Sequence, residues 1–233
     1  IIESDQLVVT GAQKLEVLDK LKEICQNKKS ELISIKDDYN WKIKEKSLYN
    51  QIFDLISPIK NYQDLSLSLI GEHQIINATI ALAVIENLNL YPVTSSEIRQ
   101  GMKKVNWPGR LEVIAKDPTI ILDGAHNLAA AKRLAKTIKS LDYDQLIVVL
   151  SVLRDKNVTG IIKTITSNAD KIVITKNENN RAEKISKLKQ EVVKYNSNII
   201  SIQNLDQALK YGMKEAKDQD LVLVTGSLYT VAE

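Results

Sequence analysis

Cysteine is almost missing from this chain. Cys25 is the only one, so no internal disulfide framework can staple the fold, and its helical neighbours Leu21 and Ile24 mark it as a packing residue. Histidine is nearly as scarce: two histidines and one cysteine make a self-contained zinc site improbable. Charge of one sign is lacking too. The 32 Lys and Arg stand against 29 Asp and Glu for a net charge of +3. These residues interleave along helical stretches as on solvated faces, which argues against nucleic acid as a partner. The longest apolar run near the middle, Leu-Ile-Val-Val-Leu at 146–150, falls far short of a membrane span. Neither G-x-G-x-x-G nor G-x-x-x-x-G-K-[ST] occurs among the 8 glycines, so a nicotinamide fingerprint and a P-loop phosphate cradle are both absent. Repeats and low-complexity segments are likewise absent, and the expectation is a cytoplasmic protein without a signal peptide or a membrane partner.

What is present is core material: 44% of the 233 residues are hydrophobic, enough for one large or two modest domains. The chain opens on "IIESDQLVVTGAQ", without Met and already in an extended pattern, which reads as the back part of a longer protein. "QLVVT" predicts a strand, and residues 13–29 show apolar positions at helical spacing. "ELISI", "NWKIKE" and the alternating "DLSLSLIG" predict further strands with one wet face. A long helix is expected over 73–90, followed by a capping box, Thr94 to Glu97, opening a helix that ends near Lys104. Then comes "VNWPGRLEVI". Pro108 is expected to stop the helix and extend Trp107, while Gly109 permits backbone angles closed to other residues. A hinge is expected there, with a domain boundary that leaves 1–107 and 108–233 as the two domains.

After that boundary the rhythm changes. Apolar strands at 119–122, 146–150, 171–174, 199–202 and 221–224 alternate with helical segments at 128–140, 158–167, 181–195 and 205–216. Repeated β-α units with short, continuously apolar strands imply a parallel sheet covered on both faces, in a doubly wound, Rossmann-like domain. Ligands bind beyond the carboxyl ends of such strands, and "ILDGAHN" sits at one of them. Asp123 can accept hydrogen bonds from sugar hydroxyls or hold a cation, and His126 offers a donor, an acceptor or a titratable charge. An Asp-Gly turn with Asn127 capping the next helix explains the same residues without any ligand. "GEHQIINATIALAV" puts Gln74, Asn77 and Ala81 near one helix face, where amides could read an adenine edge or merely cap a first turn. "TGSLYTVAE" closes the last strand with Gly226 and Ser227, again beside a helix N-terminus suited to an anion, or as an ordinary tight turn.

Taken in order, "GEHQIINA", "WPGRLEV", "ILDGAHN" and "VTGSLYTVAE" resemble folylpolyglutamate synthase and dihydrofolate synthase of the Mur ligase superfamily, across nearly the whole chain. The resemblance implies an α/β protein: the end of a P-loop-type central ATPase domain (1–107), then a Rossmann-like C-terminal ligase domain (108–233) with a mostly parallel sheet. It implies an enzyme that joins L-glutamate to a folate or dihydropteroate carboxylate with ATP and Mg2+, through an acyl phosphate. By the same resemblance Asn77 reaches the adenine, Arg110 the nucleotide phosphates and Asp123 the ribose, while His126 and Ser227 lie near the glutamate pocket. His126 and Arg110 are the catalytic candidates. "SVLRDKN" departs from the usual Asp-Lys-Asp at Asn157, leaving Arg154, Asp155 and Lys156 to line the cleft. The magnesium ligands and a modified lysine are expected before the first residue given, so these 233 residues alone are expected not to hydrolyse ATP. A monomer is expected.

Two other readings compete. One is a different Mur-type amino-acid ligase acting on a nucleotide-sugar peptide, against which "DGAHN" and "GSLY" both speak. The other is a non-catalytic nucleotide-binding module on a Rossmann-like fold, which would bind nucleotide without turnover.

Overall fold

The computed structural model describes residues 2–88 and 92–233. Ile1 and the expected helix end at Leu90 lie outside them. The chain divides into two compact units, Ile1–Asn106 and Trp107–Glu233.

In the first unit, β1 (Leu7–Thr10) runs parallel to β2 (Glu31–Ser34), and α1 (Leu15–Lys28) carries the chain between them. Ile35, expected to continue the second strand, instead starts a single turn, α2 (Ile35–Asp38). Ser34 explains the switch, because its hydroxyl accepts the Asp37 N–H (3.3 Å) and caps that turn. An antiparallel meander follows: β3 (Asn40–Lys46), β4 (Gln51–Ile56) and β5 (Asn61–Leu67). β4, "QIFDLI", is a strand that the sequence reading does not include. Tyr62 and Leu65 are three apart yet both buried. An extra residue allows this: β4 advances from Phe53 to Leu55 while β5 steps from Leu65 back to Tyr62, with Asp64 in the left-handed region (φ 53°). α3 (Glu72–Asn87) and α4 (Ser95–Lys104) close over this sheet, burying Phe53, Leu55, Leu65, Ile75 and Leu82 in one core. The Thr94–Glu97 capping box is present. Proline does not end α4, which stops at Lys104 because Val105 has already turned to ψ 130°.

Glu86, near the end of α3, ties the unit together. Its carboxylate accepts hydrogen bonds from Ser57 Oγ (2.8 Å), the Tyr62 hydroxyl (2.9 Å) and the Tyr39 hydroxyl (3.2 Å). Burial, reinforced by this carboxylate, pushes the Tyr62 phenol up to about 12 and raises Tyr39 as well.

The second unit is a six-stranded sheet in the order β10-β9-β8-β11-β7-β6. β6 (Glu112–Ala115) pairs antiparallel with β7 (Thr119–Asp123). The rest are parallel: β8 (Leu146–Leu150), β9 (Lys171–Ile174), β10 (Ile199–Ser201) and β11 (Leu221–Thr225). From β7 the chain passes through α5 (Leu128–Ile138) to β8, skipping one place. It then steps outward through α6 (Val158–Thr166) and α7 (Ile185–Val192), and α8 (Leu205–Glu215) brings it back to insert β11 in the gap. Right-handed crossovers put the three outward helices on one face and the returning helix on the other. Accordingly α5, α6 and α7 pack side by side, while α8 covers β8, β9 and β11. Ile120, Ile147, Val149, Val222 and Val224 point to the α8 side. Their sequence neighbours Ile121, Val148 and Leu223 are buried as well, so the strands read as unbroken apolar runs. A last short helix, α9 (Leu228–Ala232), packs on β11 and β7.

One expected helix is cut short. Residues 181–184 do not begin α7, because Asn179 Oδ1 accepts the Arg181 N–H (2.9 Å) and Ala182 bridges Leu153 across an antiparallel contact. That pairing takes the backbone groups a first helical turn would need. Among the described residues, no helix is long and apolar enough to cross a membrane.

Replacing Tyr62 by Phe is expected to cost about 1–2 kcal/mol, since a hydroxyl–carboxylate bond is lost. The raised phenol also sets a pH signature. Its contribution is complete below the ordinary tyrosine value of 10.0 and fades as pH climbs toward about 12. Urea denaturation across that range should show the loss in the parent, and a smaller one in Tyr62→Phe. An unchanged midpoint in the variant would show that the Tyr62–Glu86 bond stabilises nothing.

Candidate functional site

The topology brings three carboxyl ends together where the strand order reverses, with Asp123 (β7), Thr225 (β11) and Leu150 (β8) abreast in register. Here the parallel strands give way to loops carrying most of the residues singled out from sequence.

Asp123 is 8% exposed and both its oxygens are engaged. Oδ1 accepts the Ala125 N–H (2.9 Å) of its own turn, and Oδ2 accepts the Leu111 N–H (3.0 Å) of the loop before β6. The Gly124 N–H donates to the Gly109 carbonyl (2.8 Å), a second tie between the two loops. Glycine at 124 leaves room for Leu228 of α9, whose side chain would have to shift to admit a Cβ, which would lie 2.2 Å from its Cδ2. "WPGR", "DGAH" and "SLY" therefore meet at one point. Burial pushes the Asp123 carboxyl above its ordinary value, while the two backbone donors and the nearby charges of Arg110 and His126 pull it back.

Arg110 is half-buried in this loop, and its backbone N–H donates to the Trp107 carbonyl (3.2 Å). Among the described residues its guanidinium has no hydrogen-bond or ion-pair partner. His126 follows Asp123 by three positions and places Nδ1 2.9 Å from the Gly124 carbonyl. A carbonyl only accepts, so Nδ1 carries a proton and donates it to Gly124. Asn127 caps α5 by accepting the Ala130 N–H (2.9 Å), the structural role open to it from sequence. Ser227 is 1% exposed, and its hydroxyl accepts the Tyr229 N–H (3.1 Å), so it caps α9.

Beside these lies a buried polar network absent from the sequence reading. Ser151 Oγ accepts the Asn177 N–H (3.2 Å), Asn177 Nδ2 donates to Thr230 Oγ1 (2.8 Å), and Thr230 Oγ1 donates to the Ser151 carbonyl (3.2 Å). It locks the ends of β8 and β9 to α9. Thr225 Oγ1 is buried there with no partner among the described residues. On the rim, Arg181 bonds the Tyr229 hydroxyl (3.2 Å), lies 5.4 Å from that ring's centre and pairs with Asp155 (3.3 Å). Lys156 joins the same carboxylate (3.5 Å). Of the "LRDKN" residues, Asp155 and Lys156 thus form an ion cluster, and Asn157 caps α6 through the Gly160 N–H (2.9 Å). Arg181 was hidden by its expected place inside a helix. The Asn179-Asn180 pair just before it was the available signal, since Asx turns favour such residues.

Asn77 lies in the first unit, exposed on α3. Its Nδ2 donates to Gln74 Oε1 (3.0 Å), so the two amides act as one oriented pair. Gln51 Nε2 bridges the carbonyls of Leu69 (2.7 Å) and Gly71 (3.1 Å) and fixes the start of α3 beneath them. Among the described residues no group of three or more His, Cys, Asp or Glu gathers to hold a metal ion.

Comparison with known proteins gives this geometry a context. Residues 109–228 match the family described as Mur ligase, glutamate ligase domain. A dihydrofolate synthase/folylpolyglutamate synthase of Bacillus subtilis is 32% identical over 182 residues, covering 75% of this chain and 41% of that protein. One from Buchnera aphidicola is 28% identical over 234 residues, 100% of this chain and 53% of its own. Folylpolyglutamate synthase of Mycobacterium tuberculosis, complexed with ADP and AMPPCP, superposes with a TM-score of 0.87 at 28% identity, over 97% of this chain and 53% of that one. The chain thus spans about half the length of these relatives.

Asp123→Ala should destabilise the second unit by about 2–4 kcal/mol, because two buried backbone N–H groups lose their acceptor at roughly 1–3 kcal/mol each, partly offset by removing a buried charge. Asp123→Asn keeps one acceptor and should fall between parent and Ala in chemical denaturation. An Asn variant less stable than Ala would contradict the two-oxygen arrangement.

Proposed function

The chain belongs to the Mur ligase family, on its folylpolyglutamate and dihydrofolate synthase branch, and from that premise we propose that it serves the ATP-driven joining of L-glutamate to a folate or dihydropteroate carboxylate. Residues 1–107 are the end of the central ATPase domain and 108–233 the ligase domain. The substrate carboxylate takes the γ-phosphoryl group of ATP and becomes an acyl phosphate. The glutamate amine attacks that carbonyl, an amide forms and phosphate leaves. Such chemistry asks the protein mainly to position reactants and to stabilise charge.

The observation that carries the reading is Arg110. It is a half-buried guanidinium, unpaired among the described residues, on a loop tied by two backbone–backbone hydrogen bonds and two from backbone N–H groups to carboxylates. Arginine presents a planar fork suited to phosphate oxygens, and an unpaired one held this firmly is ready for an anion. Adenine recognition falls to the Asn77 amide, oriented by Gln74. Asp123 keeps lone pairs beyond the two in use, and one of them takes a ribose hydroxyl. His126 Nε2 is the acceptor available to the incoming amine's proton, and the Ser227 turn borders the glutamate. The relative from M. tuberculosis carries ADP and AMPPCP, which supports the nucleotide assignment.

Glutamate incorporation by the full-length protein, with folate, dihydropteroate and a muramyl peptide offered separately, tests the reading. Turnover is expected with a pteroyl acceptor only. Arg110→Ala should lower kcat/KM by about 10²–10³-fold with little change in stability. Turnover with the muramyl substrate, or equal losses of activity and stability, would overturn it.

A further inference from the structure

Arg110 is flanked by two residues in the left-handed region, Gly109 (φ 69°) and Leu111 (φ 49°). For Leu111, a buried residue with a Cβ, that conformation is uphill and persists only where surrounding bonds impose it. Two carboxylates impose it. Asp123 takes the Leu111 N–H on one side of Arg110 (3.0 Å). On the other side Glu112 reaches back three residues, and its Oε2 accepts the Gly109 N–H (2.8 Å). The Gly109 carbonyl is held by Gly124 (2.8 Å) and the Arg110 N–H by Trp107 (3.2 Å), so each peptide around Arg110 is anchored.

Glu112 is therefore used in an unexpected way. The carboxylate two positions from Arg110 bonds a glycine amide instead of the guanidinium, which has no partner among the described residues. We infer that Glu112 is a positioning residue: its carboxylate holds the Gly109–Leu111 arch in its left-handed form and so aims Arg110 at the nucleotide phosphates. This rests on the nucleotide role proposed for Arg110. In this role Glu112 acts through Arg110.

The test uses the full-length protein with Arg110→Ala, Glu112→Ala, Glu112→Gln and the double variant Arg110→Ala/Glu112→Ala. Glu112→Ala is expected to raise the KM for ATP about tenfold, with the KM values for glutamate and the pteroyl acceptor unmoved. Glu112→Gln, which keeps an acceptor oxygen, should recover most of that loss. In the double variant Glu112→Ala should add nothing to Arg110→Ala, since two residues acting through one contact are not additive. Hydrogen exchange at the Gly109 amide should quicken in Glu112→Ala and not in Glu112→Gln. Additive losses, equal impairment by Ala and Gln, or an unchanged ATP KM in Glu112→Ala while Arg110→Ala is impaired would each overturn the inference and leave the proposed function standing. If Arg110→Ala itself leaves the ATP KM unchanged, the nucleotide role falls and the inference with it.

Discussion

A single carboxylate joins the parts of this protein that matter. Asp123 stands at the end of a buried parallel strand, where leaving an ionised group costs free energy that burial alone would not return. It is retained because two backbone N–H groups of opposed loops close on its two oxygens. Remove it and the loop bearing Arg110 keeps only the Gly124–Gly109 backbone bond as its tie to the loop bearing His126. The raised pKa direction at Asp123 expresses the same tension between desolvation and hydrogen bonding.

The sheet makes that position available. Returning β11 to the gap between β7 and β8 aligns Thr225 with Asp123 and Leu150. The helix that follows β11 begins at Leu228, which occupies the space a Cβ on Gly124 would need. Three segments far apart in sequence thus converge through topology, and small residues let them touch. The buried Ser151–Asn177–Thr230 network performs the same service on the neighbouring strands.

Much of this was legible in the sequence. The strands of the second unit announce themselves because strands buried on both faces are continuously apolar, and β8 and β11 end within a residue of where the pattern puts them. Asp123, His126 and Ser227 stood out because polar residues at strand ends are conspicuous after such runs, Arg110 only through the resemblance that "WPGR" carries, and all four share one edge of one unit. The rest was hidden for physical reasons. β4 alternates only weakly, since Gln51 is buried for its hydrogen bonds and Ile56 is exposed. Nothing about a leucine announces a left-handed backbone, so the arch at Leu111 could not be read. That Asp123 would spend its oxygens on amides is a tertiary fact, dependent on a loop twelve residues upstream.

The most direct measurement of the central claim is a crystal structure of the full-length protein with an ATP analogue bound. The Arg110 guanidinium should lie on the nucleotide phosphates while Asp123 still accepts from both Leu111 and Ala125. Phosphates seated away from Arg110, or an Asp123 carboxylate that has released the Leu111 N–H, would contradict the account.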